Sequence, residues 1–567
     1  MRLLICFGLL TVLTMSPLSP ASARTQSLAE VANEILETLQ SFYPVLSTRM
    51  GIHAYDHRFT DYSKKSVDQV LDKLSGYEKK LYKYKAADLP LYDRINYRLL
   101  KSNVDMAILD LKRIKWHRKS PELYARELVD GIYFLMMFND APLEQRLVSI
   151  INRMESVPAY IATARKNLRK PPPVYIEAAA QTLESGILLY KDVAAELSNK
   201  FPGRADELSR VSTRAREAMN DFAAFLGNIE PGNEKDFAIG KDNFDYRLKH
   251  EYFLEYDSDS LLKLGEALFA SADSTYREYL QYVEDNQNGT DSVFVPANFT
   301  KQDILDYYNW EVEQLKIFVE ENDIVTVPED IAPLLVIETP PFLRTMVSGI
   351  AYEPPGPFNA AQPGYFYVRP IPDDLDRPQL EARYRYVHRR GFKGAVVHEA
   401  YPGHHLQMQL AAAHRDPVRK WQLNPMIIEG WGLYCEEMMY EQGLYGHEDA
   451  AKWLDVLDGI RFRAARIVAD VKLHTGRFTY DECVRWMTEA LDFVTNSDLE
   501  FIRVEVRRYT TTPTYQMSYL IGKLEIIQLL EAASEREGQA FDLRSFHDIL
   551  LAEGAIAPAL MWEIMDL

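Results

Sequence analysis

Ala395-Val396-Val397-His398-Glu399-Ala400-Tyr401-Pro402-Gly403-His404-His405-Leu406-Gln407 is the most unusual stretch of this 567-residue chain. An apolar run leads into His398-Glu399, the opening of an H-E-x-x-H helix. In that motif two imidazoles one turn apart hold Zn²⁺ and the glutamate is the general base. Here the fourth residue after His398 is Pro402, which offers no ligand atom. In an unbroken helix His398 and His404 would stand ~9 Å apart along the axis and ~240° apart around it, too far to share an ion. Pro402 has no N–H and its ring clashes with the carbonyl four residues back, while Gly403 tolerates strained backbone angles. Read as a pair looped out of one helix, Pro402-Gly403 leaves His-Glu-Ala-Tyr-His at metal spacing. His398 and His404 are then the expected ligands, with His405 the second choice. In the plainer alternative, Pro-Gly ends the helix and leaves both later histidines in a polar loop.

A zinc site needs a third protein ligand and an open position for water. Downstream, Asn424-Pro425-Met426-Ile427-Ile428-Glu429-Gly430-Trp431 opens a helix with Pro near its start. Ile428, Trp431, Tyr434 and Met438 mark its buried face, and Glu429 lies on that side, where an unpaired carboxylate would be costly. Glu429 is the expected third ligand. Glu436, seven residues on and near the same face, suits a carboxylate that orients a ligand histidine. Glu437 is read as part of a surface ion pair.

Around this centre the chain is helical in pattern. Apolar residues recur at three- and four-residue spacing over Ala29–Tyr43, Ser66–Tyr84, Tyr92–Trp116, Glu144–Leu168, Pro173–Leu197, Arg204–Leu226, Ser258–Val283 and Lys301–Glu320. Between 324 and 379 the character changes to Pro/Gly punctuation with short β-like runs at Leu334–Glu338 and Gly364–Val368, which predicts a small sheet. The expectation is a mainly α fold. One domain spans 24–567, a helical lobe to about 320 and a metal-site lobe beyond it, with the sheet beside the zinc helix.

Composition narrows the function classes. The hydrophobic set makes up 47% of the chain, which excludes disorder, and 64 Lys+Arg stand against 83 Asp+Glu, for a net charge of −19. That balance, with no basic run, argues against nucleic-acid binding. Arg2, the apolar Leu3–Leu13 and Ala21-Ser22-Ala23 read as a signal peptide cleaved after Ala23, so a secreted or periplasmic protein without a stable membrane anchor is expected. Cys435 and Cys483 lie in helical patterns and are read as two buried thiols.

His398-Glu399-x-x-Pro402-Gly403-His404-His405 followed by Glu429-Gly430-Trp431 resembles the bacterial family known as domain of unknown function 885 (DUF885). Tyr43-Pro44, Gly51, Asp56, Asp61-Tyr62-Ser63 and Pro363-Gly364-Tyr365-Phe366-Tyr367 add to that resemblance. It implies a zinc metallopeptidase of the gluzincin type, laid out like angiotensin-converting enzyme and thimet oligopeptidase: a large helical fold with a deep channel, one Zn²⁺ per chain and short peptides as substrates. Arg508-Tyr509, Pro513, Tyr515-Gln516, Tyr519 and Gly522 resemble the family's C-terminal signature. By that resemblance Tyr519 donates its phenol O–H to the oxyanion, and Tyr515 contacts substrate. His474, four residues after Asp470, is read either as a further oxyanion donor or as a charged cap on a helix end. The strand carrying Tyr365 and Tyr367 is expected to offer an edge to an extended peptide, or else to be an ordinary sheet strand. Two other functions fit the same residues: an exported binding protein whose metal site is closed by His405, and a zinc hydrolase of non-peptide amides.

Overall fold

The computed structural model describes residues 26–138, 141–286, 293–340, 350–359, 362–388, 393–446 and 450–567. The expected signal peptide therefore lies outside the described residues. The chain is built from helices, and their limits follow local chemistry. Leu28–Phe42 (α1) starts at a reciprocal cap between Ser27 and Glu30. Lys64–Leu81 (α2) and Leu91–Ile108 (α3) follow. The pattern expected to run on to Trp116 instead widens into a π-helical turn over Leu109–Ile114, closed by Lys115 at φ 59°.

Pro121–Met137 (α4) has no counterpart in the sequence expectations. It is buried on nearly every face, so it shows no amphipathic stripe to read. Leu143–Asn167 (α5), Pro173–Lys200 (α6), Ala205–Asn228 (α7), Ser258–Asn286 (α8) and Lys301–Glu321 (α9) lie where periodicity places them.

The proline-rich middle forms one three-stranded sheet: β1 (Leu334–Glu338), β2 (Ala351–Glu353) and β3 (Gly364–Val368), in the order β1-β3-β2. β1 runs parallel to β3, with Leu334 opposite Gly364, and β2 runs antiparallel to it, with Tyr352 opposite Phe366. β3 is thus the central strand, and all five of its residues are buried. Among the described residues, β2 is the edge strand on one side of β3 and β1 is the edge strand on the other.

Further helices follow: Arg377–His388 (α10), Gly394–Glu399 (α11), His404–Ala413 (α12), Pro425–Glu441 (α13), Ala450–His474 (α14), Tyr480–Ala490 (α15), Asn496–Thr511 (α16) and Ser518–Glu537 (α17). The largest hydrophobic core runs from Val31 on α1 to Met565 near the C-terminus and includes β3, α11 and α13, so it crosses position 320 without a break. Cys435 and Cys483 are buried free thiols. No helix among the described residues is long and apolar enough to cross a membrane.

The Tyr43–Asp56 stretch braces the sheet. Arg49 pairs with Glu353 on β2 at 3.1 Å, and Phe358 N–H donates to Met50 O at 2.9 Å.

Candidate metal centre

The helix expected to carry a looped-out pair is in fact two helices. α11 ends at Glu399, the cap residue Ala400 leaves helical angles at φ −105°, ψ −99°, and α12 starts at His404. The Tyr401–Pro402 peptide is cis. Gly403 lies so close under α11 that a Cβ there would sit 1.9 Å from His398 O and 2.3 Å from Val397 O, a gap only glycine fits. Trp431 of α13 locks the break by donating its indole N–H to Pro402 O at 2.8 Å.

This break turns His404 back towards His398. Their rings stand edge to face with centroids 4.6 Å apart. Each Nε2 lies 3.5 Å from Glu429 Oε2, and one donor atom from each of the three side chains falls within 4.8 Å of the other two. Both Nδ1 atoms are engaged elsewhere. His398 Nδ1–H donates to Glu436 Oε1 at 2.8 Å, while His404 Nδ1 faces the Gln407 amide oxygen at 3.4 Å. A proton fixed on Nδ1 leaves the Nε2 lone pair free for a metal.

His405 points away from this cluster. Its Nδ1 meets Tyr352 OH at 3.3 Å and its Nε2 meets Ala332 O at 3.0 Å. Burial pushes its pKa down to about 4.

The Glu429-Gly430 and Tyr519…Gly522 motifs explain each other. α13 and α17 cross backbone to backbone at Gly430 and Gly522: a Cβ on Gly430 would sit 2.5 Å from Gly522 C, and one on Gly522 2.0 Å from Met426 O. This crossing sets the Tyr519 ring beside His398, centroids 6.3 Å apart. Glu437 pairs across the same crossing with the buried Lys523, so it is not the surface pair expected.

The electrostatics of the cluster favour a cation. Burial alone would raise the Glu429 carboxyl, but hydrogen bonds from His398 and His404 outweigh it and hold the group well below the usual range. Burial likewise opposes charge on His398, yet Glu429 and Glu436 lift its pKa to about 10. Two carboxylates thus hold positive charge at this spot, and a divalent ion would meet the same field. The donor set, two imidazoles and a carboxylate with their outer atoms already bonded, fits zinc. Glu399 has its pKa raised by burial, with His404 and His398 pulling the other way.

The cluster opens into a cavity of about 630 Å³ that Glu399, Tyr515, Tyr519 and five arginines also line. A smaller cavity of about 230 Å³ shares Tyr352, His404, Glu429 and Tyr515. The Tyr519 phenol, pushed up to about 12 chiefly by burial, keeps its proton at neutral pH. Tyr515 donates its O–H to Glu429 Oε1, so it steadies the carboxylate as well as facing both cavities.

Three expectations are corrected. His474 is fully buried and absent from the cavity lining; its Nε2–H donates to Tyr509 O at 2.9 Å. Burial pushes its pKa down to about 3, so it is neither an oxyanion donor nor a charged helix cap. Tyr365 and Tyr367 sit in the central strand, where their hydroxyls meet Met137 O and Tyr133 OH, so neither faces a substrate.

Other residues take roles that the sequence does not assign them. Asp470 accepts the backbone N–H groups of Thr514, Gln516 and Met517 at 3.0, 3.1 and 3.2 Å, fixing the loop that carries Tyr515. Glu505 on α16 binds Arg466 at 2.7 Å and Arg508 at 2.8 Å in the cavity wall. The sequence signal for Asp470 was an acid four residues before His474, and that for Arg508 was the Arg508-Tyr509 signature; Arg466 gave none.

The chain is similar in fold to two solved structures. One is a candidate lipoprotein of unknown function from Shewanella oneidensis: TM-score 0.75, 21% identity, covering 96% of this chain and 100% of that one. The other is a candidate lipoprotein from Colwellia psychrerythraea: TM-score 0.75, 18% identity, covering 95% of this chain and 97% of that one. No curated protein matches the chain. The model of the family described as bacterial protein of unknown function (DUF885) matches residues 44–565, and the chain belongs to that family.

Proposed function

We propose that this protein is a zinc-dependent peptidase acting on short peptides. The observation that carries the reading is the convergence of His398 Nε2, His404 Nε2 and a Glu429 oxygen within 4.8 Å, beside Glu399 in a cavity. A bound zinc ion would supply Lewis acidity, lowering the pKa of water and polarising the scissile carbonyl. Glu399 accepts a proton from the attacking water as the C–O bond forms and passes it to the leaving nitrogen as the C–N bond breaks. Tyr519 donates its O–H to the carbonyl oxygen as negative charge develops there. Glu436 holds His398 in the productive tautomer, and Tyr515 steadies Glu429. β2, whose Ala351 and Tyr352 line the cavity, is the edge strand on that side, and its Tyr352 backbone bonds to Glu399.

Engagement of His405 with Tyr352 and Ala332 supports an open site over one closed by His405 as a fourth ligand. Export belongs to the same reading: it rests on the apolar N-terminal segment with Ala21-Ser22-Ala23 and on the likeness to two candidate lipoproteins.

The test is a digest of a mixed peptide library by the purified, zinc-supplemented chain. Cleavage that stops with chelator and falls by at least about a thousandfold in Glu399→Gln is expected, since both proton transfers pass through that carboxylate. Full cleavage by Glu399→Gln refutes the mechanism, and an uncut library refutes the peptidase reading.

A further inference from the structure

The cavity beside the triad carries more arginine than its own acids use. Arg463 is matched by Glu436 at 3.5 Å, and Arg466 and Arg508 share Glu505. Arg369 and Arg383, on the wall that also holds Ala351 and Tyr352, form no ion pair among the described residues. Arg369 directly follows β3 and is exposed; Arg383, on α10, is half-buried. Arg383 leans on its neighbour through an Nη2–H donated to Arg369 O at 3.3 Å, and its Nε is buried without an acceptor. Its guanidinium carbon stands 5.7 Å from the Tyr386 ring centre, which holds the group in place without neutralising it.

A buried N–H donor with no acceptor is costly, and a guanidinium fork matches a carboxylate with paired, charge-assisted hydrogen bonds. Glu399 and Glu429 are the acids left over, and a bound dication would cancel their charge. What remains on the Arg369–Arg383 wall is then positive and aimed into space of about 630 Å³, within the usual size of ligand pockets.

We propose that Arg369 and Arg383 hold a carboxylate of the substrate. The protein would thus select peptides by an anionic group, the free C-terminus or an acidic side chain near it, while the bond to be cut lies at the triad. This rests on the peptidase reading for its choice of substrate but can be tested apart from turnover.

The zinc-supplemented Glu399→Gln chain is dialysed against a tetrapeptide library in its free-acid form and against the same library amidated at the C-terminus, and retained peptides are counted by mass spectrometry. The expected result is at least about tenfold preference for the free acids. That preference disappears in Arg369→Met/Arg383→Met and largely survives in Arg369→Lys/Arg383→Lys. Because Arg369 is exposed, Arg369→Met alone folds and lowers the preference by itself. Amidated peptides retained as well as free acids only when they carry Asp or Glu identify the side chain as the carboxylate source. Equal retention of both libraries, retention of neither, or a preference untouched by the double methionine variant overturns the proposal. Acid-selective retention by a chain that cuts no peptide leaves the carboxylate site standing and removes the peptidase reading instead.

Discussion

The Gly430–Gly522 crossing is the joint on which the site depends, and adding one methyl there should cost stability and metal affinity together. A Cβ at position 430 would sit 2.5 Å from Gly522 C, 2.7 Å from Gly522 Cα and 2.9 Å from Lys523 N, all backbone atoms that cannot rotate away. Ordinary contact begins near 3.4 Å, so α13 and α17 must separate by about 1 Å. Overpacking of this kind costs about 1–3 kcal/mol, against about 1 kcal/mol of helix propensity that alanine returns. Gly430→Ala should therefore lose up to about 2 kcal/mol net, and Gly522→Ala more, because its Cβ would lie 2.0 Å from Met426 O. Gly76, in α2, has nothing within 4 Å of the added Cβ, so Gly76→Ala should gain about 0.5–1 kcal/mol from propensity alone. Denaturant unfolding of the three variants measures the difference. Chelator competition should also show weaker zinc binding in Gly430→Ala, because a 1 Å shift of α13 moves Glu429 relative to the two imidazoles. A Gly430→Ala chain as stable as Gly76→Ala, with unchanged zinc affinity, would refute this account of the crossing.

Three further outcomes are expected. Glu436→Gln keeps an acceptor for His398 Nδ1 but removes its charge, and should weaken zinc about 10- to 100-fold by chelator competition. Burial raises the Glu505 carboxyl, but Arg508 and Arg466 outweigh it and hold the group at about 2. Its folded pKa thus lies below its unfolded one, so it contributes about 3 kcal/mol above pH 4.5, lost as pH falls from 4.5 through 2. Glu505→Gln should be less stable at pH 7 and show a shallower fall over that window in pH-dependent unfolding. Tyr519→Phe should lower kcat by about 10²-fold or more with little change in KM, read by peptide hydrolysis.

Much of this architecture was legible because its signals are local. Most helices from Leu28 to Glu321, Pro121–Met137 excepted, follow apolar spacing that one stretch of chain carries by itself, and the triad residues stand out because zinc accepts few residue types at few spacings. Glu436 could be picked out for the same reason, seven residues along one helix from Glu429. What stayed hidden depends on partners far away in sequence. Tyr365 and Tyr367 look like edge residues until β1 and β2 close on both sides of their strand, and a three-residue β2 has no pattern of its own. Asp470 reads as a helical neighbour of His474, yet it serves a loop more than forty residues on. Arg369, Arg383 and Arg466 come from separate parts of the chain, and nothing local distinguishes them from solvated surface charges.

Metal content tests most directly whether His398, His404 and Glu429 hold the proposed zinc. After dialysis against dilute zinc and gel filtration, the parent and His405→Ala should each carry one zinc per chain by elemental mass spectrometry, and His404→Ala none. Zinc retained by His404→Ala and lost from His405→Ala would contradict the assignment.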